Sequence, residues 1–166
     1  LPSQVGVIGS DGNISERVKI LAQKIGRLIA NRGMILVCGG HSGVMEAAAK
    51  GAKQEKGITV GIIPEGDRRW ANPFCDIVIA TGIGRARNLV IVNSSDVLVA
   101  ISGGPGTLSE IALALAEKKP VIVLKGSGGV SDLLAGKMIG DSKVLEAESP
   151  EEAINLVLKI TKKLVT

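Results

Sequence analysis

Tyrosine is absent from this 166-residue chain, and phenylalanine and tryptophan occur once each. Stacking platforms for single-stranded nucleic acid need aromatic faces, so that class, with OB and RRM modules, is disfavoured. Histidine also occurs once, at His41, and cysteine twice, at Cys38 and Cys75. That scarcity excludes a histidine-based metal cluster, a zinc site and a disulfide framework; no metal is expected. No block of five like charges occurs, and the net charge is only +4. Pairs such as Lys118-Lys119 and Lys162-Lys163 fall near expected helix ends, where cations complement the helix dipole. The excess therefore reads as solvated surface rather than a nucleic-acid patch. No apolar run reaches the ~18 residues of a membrane span. The opening Leu1-Pro2-Ser3 lacks a signal-peptide pattern, so the expected compartment is the cytoplasm.

What is present is apolar residues, at 45%, and 22 glycines. The length suits one domain over 1–166 with a full core. Short β-branched runs at 4–8, 34–38, 59–63, 77–80, 96–101 and 121–124 predict strands, with 143–145 as an edge candidate. Most are almost wholly apolar, as in parallel strands covered on both faces. Between them, helical spacing recurs. Val18, Leu21, Ile25, Leu28 and Ile29 share one face, as do Ile154, Val157, Leu158, Thr161 and Leu164. Ser149-Pro150-Glu151-Glu152 reads as a helix start with an N-cap serine, proline at the first position and a capping-box glutamate. Residues 87–93 are rich in β-branched side chains, yet a strand there would leave no crossover between 77–80 and 96–101. They are expected to be helical. The alternation predicts an α/β fold, a doubly wound, mostly parallel sheet of six to seven strands flanked by helices.

In such a sheet, ligands bind beyond the carboxyl ends of the strands. Five polar, mostly glycine-rich loops leave those ends: Gly9-Ser10-Asp11-Gly12-Asn13, Gly39-Gly40-His41-Ser42-Gly43, residues 64–70, residues 81–87, and Ser102 to Glu110. Together they predict a phosphate- or nucleotide-binding edge. The last runs from a strand through glycines into a helix, where exposed N–H groups and the helix dipole favour an anion. Gly6-Val7-Ile8-Gly9 lacks the GxGxxG spacing, and no GxxxxGK[ST] is present, so neither a dinucleotide fingerprint nor a P-loop is read. Glu110 has two readings: Thr107-Leu108-Ser109-Glu110 is also a capping box. Arg87 on its own reads as a surface residue or a structural ion-pair partner, and His41 as an anion donor or a turn residue. Cys38 reads as a small buried hydrophobe. Trp70 covers a ligand or anchors its loop.

Gly103-Gly104-Pro105-Gly106-Thr107-Leu108-Ser109-Glu110 resembles the PGGxGTxxE signature of LOG ("lonely guy") proteins, long misnamed lysine decarboxylases. Arg87, nine residues before Asp96, matches that family's upstream arginine. Gly39-Gly40-His41-Ser42-Gly43-Val44-Met45 and Thr59-Val60-Gly61-Ile62-Ile63-Pro64 resemble its GGxxGLM turn and VIGVIP-like strand. The likeness spans roughly residues 5–125. Ser102 replaces the signature's proline, Asn88 a lysine and Glu46 a glycine. The wording Ala86-Arg87-Asn88 is closer to the sister group of molybdenum-cofactor carrier proteins; DNA-processing DprA proteins are more distant cousins. The resemblance implies a Rossmann-like fold, a homo-oligomer (dimer or tetramer), and a small phosphorylated ligand, either a nucleotide or a phosphorylated pterin (molybdenum cofactor). No cofactor is required. It implies ligand contacts at Gly9, Ser10, Gly39, Gly40, His41, Gly43, Gly103, Gly104, Gly106 and Thr107. For an enzyme it implies N-glycosidic hydrolysis of a nucleoside 5′-monophosphate. Arg87 and Glu110 are then the catalytic pair, with Glu110 acting electrostatically rather than as a raised-pKa acid. No motif suggests a pyridoxal-phosphate lysine, so lysine decarboxylation is not expected.

Overall fold

A computed structural model describes residues 1–164. Seven strands form one all-parallel sheet: β1 (Gln4–Gly9), β2 (Ile35–Cys38), β3 (Thr59–Ile63), β4 (Ile77–Ala80), β5 (Val97–Ile101), β6 (Val121–Leu124) and β9 (Leu145–Ala147). A separate antiparallel pair joins β7 (Met138–Ile139) to β8 (Ser142–Lys143). The helices are α1 (Glu16–Asn31), α2 (Val44–Gln54), α3 (Arg87–Asn93), α4 (Pro105–Ala116), α5 (Gly129–Leu134) and α6 (Pro150–Leu164). The expected edge strand at 143–145 is thus divided. Val144 is buried and turns the chain between β8 and β9, and only Leu145 to Ala147 pairs with β6. The segment 87–93 is the helix that the crossover argument requires.

The strand order β4-β3-β2-β1-β5-β6-β9 explains the apolar strands. Val5 and Val7 of β1, and Val97, Val99 and Ile101 of β5, point into a core shared with α1, α2 and α6. Ile8, Leu98 and Ala100 point into a second core containing residues of α3 and α4. Successive side chains alternate faces, so a strand covered on both sides is hydrophobic throughout. On the first face, α1 and α2 meet backbone to backbone. A Cβ on Gly26 would lie 1.8 Å from the Ala48 carbonyl oxygen, and one on Gly51 1.9 Å from that of Gln23.

Helix starts follow the local chemistry. Ser15 caps α1 by accepting from the Val18 N–H at 3.2 Å. Ser149 caps α6 by accepting from the Glu152 N–H at 3.1 Å, while the Glu152 carboxylate accepts from the Glu148 N–H at 2.8 Å. The apolar stripe of α6 stops short of its end, because Leu164 is exposed.

The chain winds outward from β1 to β4, then returns to lay β5 on the other flank of β1. This reversal makes the gap between the ends of β1 and β5 the topological switch point, where open α/β sheets hold their ligands.

Candidate functional site

At that switch point lies a cleft of about 660 Å³, lined by Gly9, Asp11, His41, Met45, Pro64, Arg85, Arg87, Asn88, Pro105, Gly106, Thr107, Ser109, Glu110 and Leu113. Its floor is the start of α4. Gly104 is the N-cap and Pro105 the first helical residue, a position that suits proline. The Leu108 N–H donates to the Gly104 carbonyl at 2.9 Å. The N–H groups of Gly106 and Thr107 come before that bond, within the first turn, where no intrahelical acceptor exists.

Thr107 is therefore not an N-cap. It and Glu110 lie inside α4, Thr107 in the first turn and Glu110 in the second. The capping-box reading of Thr107-Leu108-Ser109-Glu110 fails, because Pro105 begins the helix two residues earlier. The buried face of α4 is Thr107, Glu110, Ile111, Ala114 and Leu115, while Leu108 and Ala112 are exposed.

The turn before α4 is unusual in its backbone. Ser102 sits at φ +54 and Gly103 at φ +108. A Cβ on Gly103 would lie 2.6 Å from Thr107 side-chain atoms. The Ser102 N–H donates to Ser127 Oγ at 2.7 Å, and its carbonyl accepts from Ser131 N–H and Oγ at 3.1 and 2.7 Å. Gly103 donates to Ser10 Oγ at 2.9 Å and accepts from Val130 N–H at 2.9 Å. Proline has neither the N–H nor the left-handed φ that position 102 uses here. Serine in place of the signature's proline thus accompanies a turn clamped from behind by the loop after β6, residues 125–131. Sequence reasoning passed over that loop, although its Gly126, Gly128 and Gly129 repeat the glycine signal of the others.

The upper wall centres on Arg87. Its side chain is only 12% exposed, and the Glu110 side chain 8%. Arg87 Nη1 lies 3.9 Å from Glu110 Oε1 and donates to Asn88 Oδ1. Nη2 donates to the Gly39 carbonyl at 3.3 Å. Nε is buried and has no hydrogen-bond partner among the described residues. Asn88 in turn donates from Nδ2 to Ser109 Oγ at 2.9 Å, and Ser109 donates to the Gly106 carbonyl at 2.6 Å. Arginine, asparagine and the α4 turn are thereby one connected unit.

Burial drives the Glu110 carboxyl up to about 7, against the opposing pull of the Arg87 charge. The expectation of an ordinary carboxylate at this position is corrected: at 3.9 Å the guanidinium only partly offsets the loss of water. Glu110 therefore keeps its proton to well above the ordinary carboxylate range.

His41 stands at the rim between two acids. Its Nε2 is 3.0 Å from Glu65 Oε2 and its Nδ1 3.6 Å from Asp11 Oδ2. Burial works against ionisation of Asp11, but Ser42, the Gly12 N–H and His41 hold its carboxyl below the ordinary value. The same contest, with His41 opposing burial, leaves Glu65 lowered.

The structure brings Gly9, His41, Arg87, Gly106, Thr107 and Glu110 to the cleft. Ser10, Gly39, Gly40, Gly43, Gly103 and Gly104 do not line it. They shape it instead: Ser10 ties β1 to the α4 turn, Gly39 anchors Arg87, Gly43 is the N-cap of α2, and Gly40 accepts from the Asn72 N–H at 2.8 Å. Asp11, Met45, Pro64, Arg85, Asn88, Ser109 and Leu113 line the cleft and were not singled out as contacts. Arg85 and Asp11 sit in loops whose glycines drew attention; Asn88 stood out only as a departure from the family pattern. Trp70 neither covers the cleft nor anchors its loop by burial, being 69% exposed. Among the described residues no group of three or more His, Cys, Asp or Glu side chains is placed to hold a metal, and no helix is long and apolar enough to cross a membrane.

Comparison with known proteins agrees with this architecture. The SLOG cluster4 family model matches residues 2–154. An uncharacterized protein of Archaeoglobus fulgidus is 46% identical over 152 residues, 92% of each chain. The structure of the molybdenum cofactor binding protein from the phototrophic bacterium Rippkaea orientalis superposes with a TM-score of 0.89 at 40% identity, covering 97% of this chain and 98% of that one. The cytokinin riboside 5′-monophosphate phosphoribohydrolase of Mycobacterium tuberculosis is 34% identical over 124 residues, 69% of this chain and 66% of that protein.

Proposed function

This chain belongs to the SLOG cluster4 family, and from that premise we propose that it binds a small phosphorylated, nucleotide-like ligand in the cleft between β1 and β5. The observation that carries this reading is the pairing of two anion-seeking features around one cavity. One is the α4 N-terminus with the N–H groups of Gly106 and Thr107; the other is the buried Arg87, whose Nε has no partner among the described residues. A buried unpaired donor costs ~1–3 kcal/mol, which an anion beside it would recover. Helix-dipole stabilisation alone is about 0.3–1 kcal/mol. Micromolar binding needs about 8 kcal/mol, so the guanidinium and the cleft walls must supply most of it. The pterin reading of the ligand draws support from the likeness to the molybdenum cofactor binding protein of Rippkaea orientalis. In that case Gly106, Thr107 and Arg87 would hold the phosphate, and the pterin would extend toward Asp11, His41 and Met45. No metal ligand on this chain is invoked.

A second reading is supported by Glu110. A buried carboxyl titrating near 7 beside a guanidinium is tuned for proton transfer at neutral pH. Phosphoribohydrolysis of a nucleoside 5′-monophosphate would then place the ribosyl carbon near Glu110, which would deprotonate the attacking water. The similarity to the Mycobacterium phosphoribohydrolase supports this reading.

One experiment separates the two. The protein, gently purified, is examined by native mass spectrometry for a retained phosphorylated pterin. It is then incubated with adenosine monophosphate and its N6-isopentenyl analogue, and free base and ribose 5-phosphate are followed. Carriage predicts retained ligand and no turnover. Hydrolysis predicts turnover that Glu110→Gln abolishes. Self-association is also proposed, since Leu89 of α3 and Leu108 of α4 present apolar surface next to the cleft; light scattering on a sizing column measures it.

A further inference from the structure

Both cysteines of the chain meet beneath the cleft wall, although 37 positions separate them in sequence. Cys38 closes β2 and is fully buried. Its neighbour across the sheet is Gly61 of β3. The space a side chain would take at Gly61 holds Cys75 instead: a Cβ there would lie 2.7 Å from Cys75 Sγ and 3.3 Å from Cys75 Cβ. Adjacent strands are ~4.8 Å apart, so Cys75 is seated beside Cys38 on the same face. The two thiols are close enough to perturb each other's ionisation. Cys75 is only partly buried, and its thiol also reaches Asn72 Oδ1 at 3.6 Å. Cys75 is thus the less buried residue of the pair.

The pair is joined to the cleft on both sides. Cys38 precedes Gly39, whose carbonyl accepts from Arg87. Three residues before Cys75, Asn72 donates its backbone N–H to the Gly40 carbonyl at 2.8 Å and its side-chain amide to the His41 carbonyl at 2.9 Å.

We propose that Cys38 and Cys75 form a reversible thiol–disulfide site, in which Cys75 reacts with a peroxide and Cys38 resolves the product. The Cys75 thiolate attacks one peroxide oxygen, the O–O bond breaks, and hydroxide leaves to become water, giving a sulfenic acid. The Cys38 sulfur then attacks the Cys75 sulfur. The S–S bond forms, the S–O bond breaks, and the Cys38 proton departs with the second water. Two thiols supply the two electrons that reduce peroxide to water, and an external dithiol reverses the step. The electrostatics have the matching direction. The neighbouring Cys38 thiol holds the Cys75 thiol below its ordinary value, while Cys75 and burial push Cys38 well above it. The less buried cysteine supplies the nucleophile, and the buried one needs to reach only its neighbour. The disulfide would fasten residues 64–76 to β2.

The test needs no ligand, so its outcome is independent of the proposed function. The folded protein is treated with hydrogen peroxide, denatured, alkylated and mapped by mass spectrometry. The expected result is an intramolecular Cys38–Cys75 peptide pair, a mass lower by two hydrogens, and full reversal by dithiothreitol. The Cys38→Ser variant is expected to give a dimedone adduct at Cys75, and the Cys75→Ser variant to leave Cys38 unmodified. Two freely alkylated thiols in the oxidised wild type would overturn the proposal, as would a disulfide formed only between chains. The wild-type result stands alone if either variant does not fold.

Discussion

Ser102 shows how much a single residue decides here. Its left-handed backbone and its N–H bond to Ser127 shape the turn that presents α4. Ser102→Pro removes a bond worth about 1 kcal/mol and demands a φ near −65°, so it is expected to unfold the loop and abolish ligand binding. Ser102→Gly keeps both requirements and is expected to change stability by less than ~1 kcal/mol in urea denaturation. Glu110 gives a pH signature. Its folded-state value, about 7, lies above its ordinary 4.5, so the folded state binds more protons between these limits. Stability therefore falls as pH rises through that window. Glu110→Gln is expected to leave stability nearly unchanged at its lower end and to raise it by an amount on the order of 3 kcal/mol above its upper end. A wild type and variant with parallel pH profiles would contradict the burial argument. Residue identities at the site were legible from the glycine-rich motif and from Arg87. The protonation of Glu110 was not, because burial depends on how α4 packs. Pro105 was the clue that Thr107 is not a cap.

At the scale of elements, the α1–α2 contact carries a sharp expectation. Gly26 and Gly51 each face a carbonyl of the other helix at a distance no Cβ tolerates. Gly51→Ala must push the helices apart, with an expected loss of ~1–3 kcal/mol or more, read as a lower urea midpoint with unchanged slope. An alanine variant as stable as wild type would show that the helices are not in backbone contact. These glycines looked like ordinary helix residues in sequence; their role depends on a partner helix twenty-five positions away. Strands were easier to read. The apolar runs at 59–63 and 121–124 coincide with β3 and β6, where two-sided burial leaves an unbroken hydrophobic signature; the run at 77–80 coincides with β4, an edge strand whose Ile77 and Ile79 are exposed. The region after α5 was harder. Three strands of two or three residues there carry too few side chains for a pattern, and Val144 is buried between two of them.

For the whole molecule, strand order matters more than any motif. The reversal at β1 and β5 sets Gly9 and Asp11 opposite the α4 turn, and α3 delivers Arg87 above it. The parallel sheet was predictable from strand–helix alternation, but strand order came only with the structure, since nothing local says on which side of β1 the return strand lies. Ser10, Gly39 and Gly103, which do not line the cleft, are scaffolding for the residues of the same loops that do. The central claim is that a phosphate sits at the N-terminus of α4 under Arg87. It is tested most directly by titrating adenosine monophosphate, and separately inorganic phosphate, into 15N-labelled protein while following the backbone amides. Saturable shifts concentrated at Gly106 and Thr107, weakened at least about tenfold by Arg87→Ala, are the predicted result. Shifts with both phosphates that leave Gly106 and Thr107 unmoved, or that are indifferent to Arg87→Ala, would contradict it.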